Sequence, residues 1–346
     1  MARLIPPCVK PGDRVAVLSP AWAAPAYFPQ LHEQALGRIR SEFGLEPVEF
    51  PTTRAMGASV AERAADVNAA FADPSIRAIF TTVGGDDLIR VVPLLDPELA
   101  LADPKPFFGY SDNTNILAWL WQHGIGGFHG GGTQLHLGSG PGLDPIHVET
   151  LRGALFGDDV VVESVDASED YGLDWSDPRA LSEASVREPA MPVEFFGNDS
   201  IVRGPTWGGC LEVIDQMALA GRLPDASDLA GHVLMFETSE LLPPADYVGR
   251  WIRALGERGY LEAASALMFA QPVVDDRDAP APDYVKEARR MAYLEYVLSN
   301  ISQYRNDLLV VTGVPFGHTR PQAILPYGGE VTLDPENGTI TAHFSR

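Results

Sequence analysis

Cysteine is scarce in this sequence, with only Cys8 and Cys210 among 346 residues. Two cysteines are too few for a disulfide scaffold or for a cysteine-rich metal site. Long apolar runs are also lacking, and none reaches the roughly 18 residues that a membrane-spanning helix needs. The segment from Met1 to Asp13 contains no apolar core of the kind that a secretory signal requires. These absences predict a cytoplasmic protein without a membrane partner.

Positive charge is in short supply as well. Lys and Arg number 25 against 47 Asp and Glu, which gives a formal net charge of −22. The electrostatic field of this net negative charge repels phosphate backbones and anionic lipid surfaces, so we expect no nucleic-acid partner. Small anionic ligands are not excluded, because backbone amides or a few arginines can hold them locally. The hydrophobic content of 45% is typical of a packed globular protein.

The length and the hydrophobic pattern predict two α/β domains. In the first half, short apolar runs alternate with amphipathic stretches, which is typical of a parallel sheet covered by helices. We predict an N-terminal domain over residues 1–165, a connecting loop over 166–205 and a C-terminal domain over 206–346. In parallel sheets of this kind, ligands bind beyond the carboxyl ends of the strands.

A serine follows one of these predicted strands. Ser111 lies at a strand-to-helix turn, where its hydroxyl would be exposed beside backbone amides, as in a nucleophile elbow. The G-x-S-x-G pattern is incomplete, because Asn113 replaces the second glycine. A helix N-cap formed by Ser111 or Asp112 is the alternative interpretation.

Three further strand ends provide candidate groups. The Gly84-Gly85 turn allows backbone N–H groups to approach a ligand closely, as an oxyanion hole requires. Glu237 is the first charged residue at the tip of an apolar strand, and His318 lies in a glycine-flanked loop beyond another. The chain order Ser, Glu, His is known from one class of triad enzymes. We therefore predict that Ser111 is the nucleophile, His318 the general base and Glu237 the orienting carboxylate.

Other groups offer competing chemistry. Glu240 lies close to Glu237 and competes for its role. Cys210 opens a predicted helix, where a thiol pKa can fall, so a pair of Cys210 and His318 is another candidate, with a small buried thiol as the structural alternative. Metal binding would draw on a histidine-rich stretch without a recognised ligand spacing, formed by His123, His129, His136 and His147.

Taken together, these motifs resemble the LD-carboxypeptidase serine peptidases over nearly the whole chain. The residues that carry the resemblance are Gly84-Gly85-Asp86-Asp87, Gly109-Tyr110-Ser111-Asp112, Gly208-Gly209, Glu237 and Gly317-His318-Thr319. The Gly-Gly-Asp-Asp segment and the aromatic connecting loop are more similar to the microcin C immunity peptidase (MccF-like) branch than to the murein tetrapeptide branch. Residues 128–132 and Cys210 depart from the family pattern.

The resemblance implies a Ser-His-Glu triad with an oxyanion hole formed by the backbone amides of Gly85 and Asp112. It also implies a flavodoxin-like N-terminal domain, a β-rich C-terminal domain, an active site between them, a homodimer, and no metal or other cofactor. The implied reaction is hydrolysis of an amide bond in a small peptide, an aminoacyl-nucleotide or a microcin C-like conjugate. An LD-carboxypeptidase acting on murein tetrapeptide is the alternative.

Trp175 and Trp207 help to predict the class of substrate. Murein peptides contain no aromatic group, whereas stacking of a nucleobase on an indole contributes about 1 to 3 kcal/mol. We therefore expect Gly84, Trp175 and Trp207 to contact the substrate, with packing of the two tryptophans as the alternative. A ligand-binding protein that uses the same crevice without chemistry is the non-enzymatic alternative.

Overall fold

Two large β-sheets organise residues 3–345, the part of the chain that the computed structural model describes. The strands are β1 Arg14–Leu18, β2 Glu46–Glu49, β3 Ile76–Thr81, β4 Phe107–Gly109, β5 Gly127–His129, β6 Val160–Val162, β7 Ala167–Ser168, β8 Glu188–Pro189, β9 Glu194–Phe196, β10 Val202–Cys210, β11 Val233–Glu237, β12 Ala266–Ala270, β13 Leu309–Val314, β14 Leu325–Tyr327, β15 Glu330–Asp334 and β16 Thr339–Ala342.

Helices cover both sheets. They are α1 Ala24–Tyr27, α2 Pro29–Phe43, α3 Val60–Ala72, α4 Leu88–Val91, α5 Pro97–Ala102, α6 Thr114–Gln122, α7 Pro145–Phe156, α8 Leu211–Leu219, α9 Ala245–Glu257, α10 Tyr260–Ala263 and α11 Asp283–Ser302. None of the helices within residues 3–345 combines the length and apolarity needed to cross a membrane.

The first sheet has the strand order β14-β5-β4-β3-β1-β2. Strands β1 to β5 are mutually parallel, and β14 pairs antiparallel with β5. Parallel strands between helices are buried on both faces, which explains their nearly continuous apolar runs. The predicted parallel-sheet N-terminal region is confirmed.

The second sheet has the order β6-β16-β15-β10-β11-β12-β13-β9. Its centre, β10 to β13, is parallel, and antiparallel strands flank it on both sides. This arrangement confirms the predicted β-rich α/β C-terminal region. Each sheet also takes an edge strand from the other half of the chain, since β6 joins the second sheet and β14 joins the first.

Local sequence signals set the ends of individual helices. Helix α3 begins with a capping box in which Ser59 Oγ accepts from the Glu62 amide and the Glu62 carboxylate accepts from the Ser59 amide. Helix α2 ends at Gly44, whose φ of 67° is favoured by glycine.

Trp207 lies where the two sheets meet. Its side chain is fully buried, and its ring centroid lies 6.3 Å from Trp121 on α6 and 5.5 Å from Tyr260 on α10. Phe236 on β11 packs edge-on against the same indole. Trp207 therefore packs helix α6, which follows a strand of the first sheet, against strand β11 and helix α10 of the second.

Replacing this indole should destabilise the protein. We expect Trp207→Ala to lower the free energy of unfolding by about 3 to 5 kcal/mol, because truncation of a buried tryptophan leaves a cavity. Urea unfolding followed by circular dichroism measures the effect. Trp22→Ala is the matched control, since Trp22 is 40% exposed and its loss should change stability little. Equal midpoints for the two variants would contradict the packing role.

Candidate active site

Ser111 adopts a strained backbone conformation directly after β4. Its φ is 59°, in the left-handed region that non-glycine residues seldom occupy and that costs about 1 to 3 kcal/mol. A short 3-10 turn, Ser111–Asn113, then leads into α6. A serine held in this way between a strand and a helix has the geometry of a nucleophile elbow.

Asn113 connects the serine turn to the neighbouring Gly84-Gly85 turn. Its side-chain amide donates to the carbonyl oxygens of Val83 at 3.3 Å and Tyr110 at 3.1 Å. A Cβ on Gly109 would lie 2.7 Å from the Asn113 Cβ, so the glycine makes room for this side chain. The asparagine that interrupts the sequence pattern thus links two loops of the site.

Gly84 lies in close contact with the serine turn. A Cβ on Gly84 would lie 2.7 Å from the Ser111 hydroxyl oxygen and 3.3 Å from the Asp112 amide nitrogen. The Asp112 carboxylate accepts from the Leu88 amide at 3.0 Å, which anchors the helix after Gly85. Burial raises the pKa of this carboxyl to about 6. The structure thus brings Gly84, Gly85, Ser111 and Asp112 together.

Glu237 fixes the orientation of His318. The carboxylate ends β11, is 1% exposed, and accepts a hydrogen bond from His318 Nδ1 at 2.6 Å. Gly317 has a φ of 85°, and a Cβ there would lie 2.8 Å from the Glu237 Cβ. The histidine loop therefore lies directly on the carboxylate. His318 Nε2 is the ring nitrogen left for proton transfer.

Gln322 holds the histidine loop in place. Its Nε2 donates to the Gly317 carbonyl at 2.5 Å, while its Oε1 accepts from the Gly131 amide at 3.1 Å. The glycine-rich stretch after β5, which departs from the family pattern, is thereby tied to the loop of the candidate base.

Glu240 faces the other side of the imidazole. Its Oε2 lies 3.3 Å from His318 Nε2, and its side chain is 54% exposed. Glu237 and Glu240, which competed for one role in the sequence, therefore lie at opposite ring nitrogens. Burial lowers the pKa of His318, but Glu237, with Glu240 and Glu212, outweighs burial and raises this pKa to about 9. The two carboxylates thus favour the protonated form of the imidazole.

Burial also acts on three histidines of the glycine-rich region. It lowers the pKa of His129 to about 3, that of His147 to about 4, and that of His136 well below the usual value. The rings of His136 and His147 stack at 5.0 Å, and His123 lies apart, with Nδ1 2.8 Å from the Trp119 carbonyl oxygen. Within residues 3–345, no three His, Cys, Asp or Glu side chains are grouped to hold a metal.

Cys210 is a poor candidate for a nucleophile. The thiol is 1% exposed, and burial raises its pKa well above the usual value. Its Sγ donates to Glu212 Oε2 at 3.3 Å. A protonated thiol held by a carboxylate is far less nucleophilic than a thiolate.

Two cavities meet at Ser111. The smaller, of about 350 Å³, is lined by His318 together with Tyr110, Trp175 and Phe28. The larger, of about 590 Å³, has several acidic groups in its lining, including Glu212, among small and apolar residues. Both cavities are lined by Ser111, Gly85, Trp22 and Glu240.

The two tryptophans singled out in the sequence have different environments. Trp175 lines the smaller cavity, where it stacks on Trp22 at a centroid distance of 6.4 Å and meets Phe28 edge-on at 5.4 Å. Trp207 is buried in the core and lines neither cavity, so the structure gives it a packing role in place of the predicted substrate contact.

Sequence reasoning missed Trp22 and Phe28. Both follow β1, whose carboxyl end lies at the same edge of the sheet as Gly84 and Ser111. The rule that ligands bind beyond strand ends, applied to β1 as well as to β3 and β4, would have found them.

Comparison with known proteins identifies the family. Profiles of the LD-carboxypeptidase N-terminal and C-terminal domains match residues 15–130 and 203–333. The protein is accordingly a hydrolase of the serine peptidase type. More specifically, the chain belongs to the LD-carboxypeptidase family, which confirms the resemblance found in the sequence.

Individual relatives represent both branches. The chain is 24% identical over 287 residues to the microcin C7 self-immunity protein MccF of Escherichia coli, covering 82% of this chain and 78% of MccF. It is 32% identical over 94 residues to a murein tetrapeptide carboxypeptidase of Pseudomonas aeruginosa, covering 27% and 29% of the two chains. The structure of MccF in complex with aspartyl sulfamoyl adenosine matches with a TM-score of 0.84 at 21% identity, covering 98% of each chain, which shows a shared fold.

The His318 environment predicts an alkaline activity profile. We expect kcat/KM to rise with pH through an apparent pKa near 9, above the value of about 6.5 for free imidazole, because the base must first lose its second proton. Glu240→Gln removes one carboxylate that raises this pKa, so the rise should move to lower pH. Glu336→Gln, on an exposed hairpin, is the matched control. Coincident profiles for the two variants would contradict this assignment.

Proposed function

We propose that the protein hydrolyses an amide bond by attack of Ser111, with His318 as general base and Glu237 as its orienting carboxylate. The observation that carries this proposal is the 2.6 Å hydrogen bond from His318 to Glu237, which leaves Nε2 as the basic nitrogen in a cavity that Ser111 also lines. The left-handed backbone of Ser111 supports the same conclusion, because such strain is concentrated at functional sites.

The proposed reaction follows from these positions. Once the imidazole has lost its Nε2 proton to solvent, Ser111 Oγ attacks the substrate carbonyl while His318 Nε2 accepts the hydroxyl proton. The amides of Gly85 and Asp112 donate to the developing oxyanion, typically about 3 to 4 kcal/mol per donor. His318 then returns the proton to the leaving group, and a water activated by the same nitrogen hydrolyses the acyl-enzyme. Glu240, whose side chain is 54% exposed, must turn away from Nε2 before the first proton transfer.

An aminoacyl-nucleotide or a microcin C-like conjugate is the substrate class that we propose. Three aromatic side chains, Trp22, Phe28 and Trp175, line the cavity beside His318 and offer faces to a nucleobase. The MccF structure with aspartyl sulfamoyl adenosine supports this choice. Murein tetrapeptide is the alternative, supported by the Pseudomonas relative, and it has no aromatic group to stack on these side chains. From the family resemblance we also propose that the protein is cytoplasmic and forms a homodimer.

Loss of the serine or the histidine should remove most of the hydrolytic activity. We expect Ser111→Ala and His318→Ala each to lower kcat by roughly 10³-fold or more, and the double variant to lose little beyond either single one, since the three residues act as a unit. Turnover of aminoacyl-sulfamoyl adenosine measures the loss. A fluorophosphonate should label the parent protein and Cys210→Ala but not Ser111→Ala. Additive losses would contradict a shared triad, and a parent protein that binds the ligand without labelling or turnover would favour the non-enzymatic alternative.

Trp175 should affect substrate binding more than chemistry. We expect Trp175→Ala to raise KM for aminoacyl-sulfamoyl adenosine about ten- to a hundredfold, the equivalent of losing about 1 to 3 kcal/mol of base stacking. Hydrolysis of a small amide without a base should remain nearly unchanged, and Trp175→Phe should restore most of the affinity. Equal losses on both substrates, with a lower melting temperature, would assign Trp175 a structural role and favour murein peptides.

A further inference from the structure

The position of His318 distinguishes the two cavities that meet at Ser111. The base must return its proton to the leaving group, so the leaving group lies on the side of the serine that His318 occupies. His318 lines the smaller, aromatic cavity, which is therefore the place for the leaving group. The acyl group consequently extends into the larger cavity, which is bounded by Gly85, Cys210 and Glu212.

The larger cavity has one cationic side chain, and its charge is already neutralised. Arg63 makes two hydrogen bonds of 2.8 Å to the two carboxylate oxygens of Asp87, and it also donates to the carbonyl oxygens of Pro20 and Ala21. The guanidinium is only 7% exposed. Because Arg63 is paired in this bidentate way with Asp87, its positive charge is not available to an incoming acyl group.

Four further carboxyl groups line the same cavity: Asp86, Asp112, Glu212 and Glu240. Asp86 is exposed, and within residues 3–345 its side chain has no hydrogen bond or ion pair. Glu212 accepts from the amide and hydroxyl of Ser239 at 2.8 and 2.7 Å, so neutral donors hold it in place. No Lys or Arg besides Arg63 is present among the described residues that line this cavity. The field at the acyl position is therefore negative.

Glu240 connects this field to the base. It lines both cavities, and its carboxylate lies 3.3 Å from His318 Nε2, the atom that must accept the Ser111 proton. A cation in the larger cavity offers Glu240 a second partner. Its arrival would draw the carboxylate away from Nε2 and leave that nitrogen to Ser111.

We propose that the acyl group of the substrate is an aminoacyl unit with a cationic side chain, such as lysyl or arginyl, and that the larger cavity disfavours an acidic one. This inference rests on the proposed function and adds the substrate class of its acyl side. The aspartyl ligand of the MccF structure has the opposite side-chain charge, so specificity within the shared fold would differ at this cavity.

The test compares three compounds with one leaving group: lysyl-, norleucyl- and aspartyl-sulfamoyl adenosine. Norleucine matches the chain length of lysine without its charge. We expect kcat/KM to fall in the order lysyl, norleucyl, aspartyl, by about tenfold or more at each step. The interaction between two unit charges in contact within a protein cavity is large enough for such a difference. Asp86→Asn and Glu212→Gln should each reduce the ratio of lysyl to norleucyl, and Glu336→Gln should preserve it.

Binding to the full-length Ser111→Ala variant gives a readout independent of turnover. Isothermal titration should show the same order of affinity for the three compounds. Equal values of kcat/KM or of affinity for the three compounds, or values in the reverse order, would overturn the charge inference while leaving the proposed hydrolase intact. Failure of all three to bind would overturn it as well. Failure of the proposed function looks different, because the parent protein would then bind the lysyl compound without hydrolysing it and resist fluorophosphonate labelling.

Discussion

The buried hydrogen bond between Glu237 and His318 is the constraint around which the candidate site is organised. A carboxylate that is 1% exposed needs a partner, since an unpaired buried charge is strongly destabilising. The His318 loop supplies that partner only because Gly317 has no side chain to hold it away from Glu237. Gln322 then secures the loop to Gly131. Stability of the fold and orientation of the imidazole thus depend on the same contact.

Sequence reasoning predicted these candidate residues because each obeys a local rule. Ser111 and His318 each follow a strand and Glu237 ends one, and the apolar run of each strand is visible in the sequence. Ser111 belongs to the first sheet and the other two residues to the second, so their juxtaposition depends on how the two sheets pack. The same reasoning could not separate Trp175 from Trp207. Both are aromatic residues near the predicted connecting loop, and only the packing of Trp121 and Tyr260 around Trp207 distinguishes the two.

Other features depend on contacts between distant residues and leave no local signal. The pairing of β14 with β5 and of β6 with β16 joins segments far apart in the chain. The placement of Glu240 at Nε2 depends on a short loop after β11, and the raised pKa of His318 depends on that placement. Asn113 was an imperfect match to a motif in sequence, yet its amide connects two loops of the site.

The exchange of edge strands has a consequence for how such a protein can evolve. The profile of the C-terminal domain spans residues 203–333, yet β14 within that range belongs to the first sheet. Between β13 and β14 the chain passes through His318, so the base lies on the segment that links the two sheets. A recombination event that replaced one half with that of a distant homologue would bring a foreign strand into the other half's sheet. Exchange of one half alone would therefore have to preserve these two edge pairings.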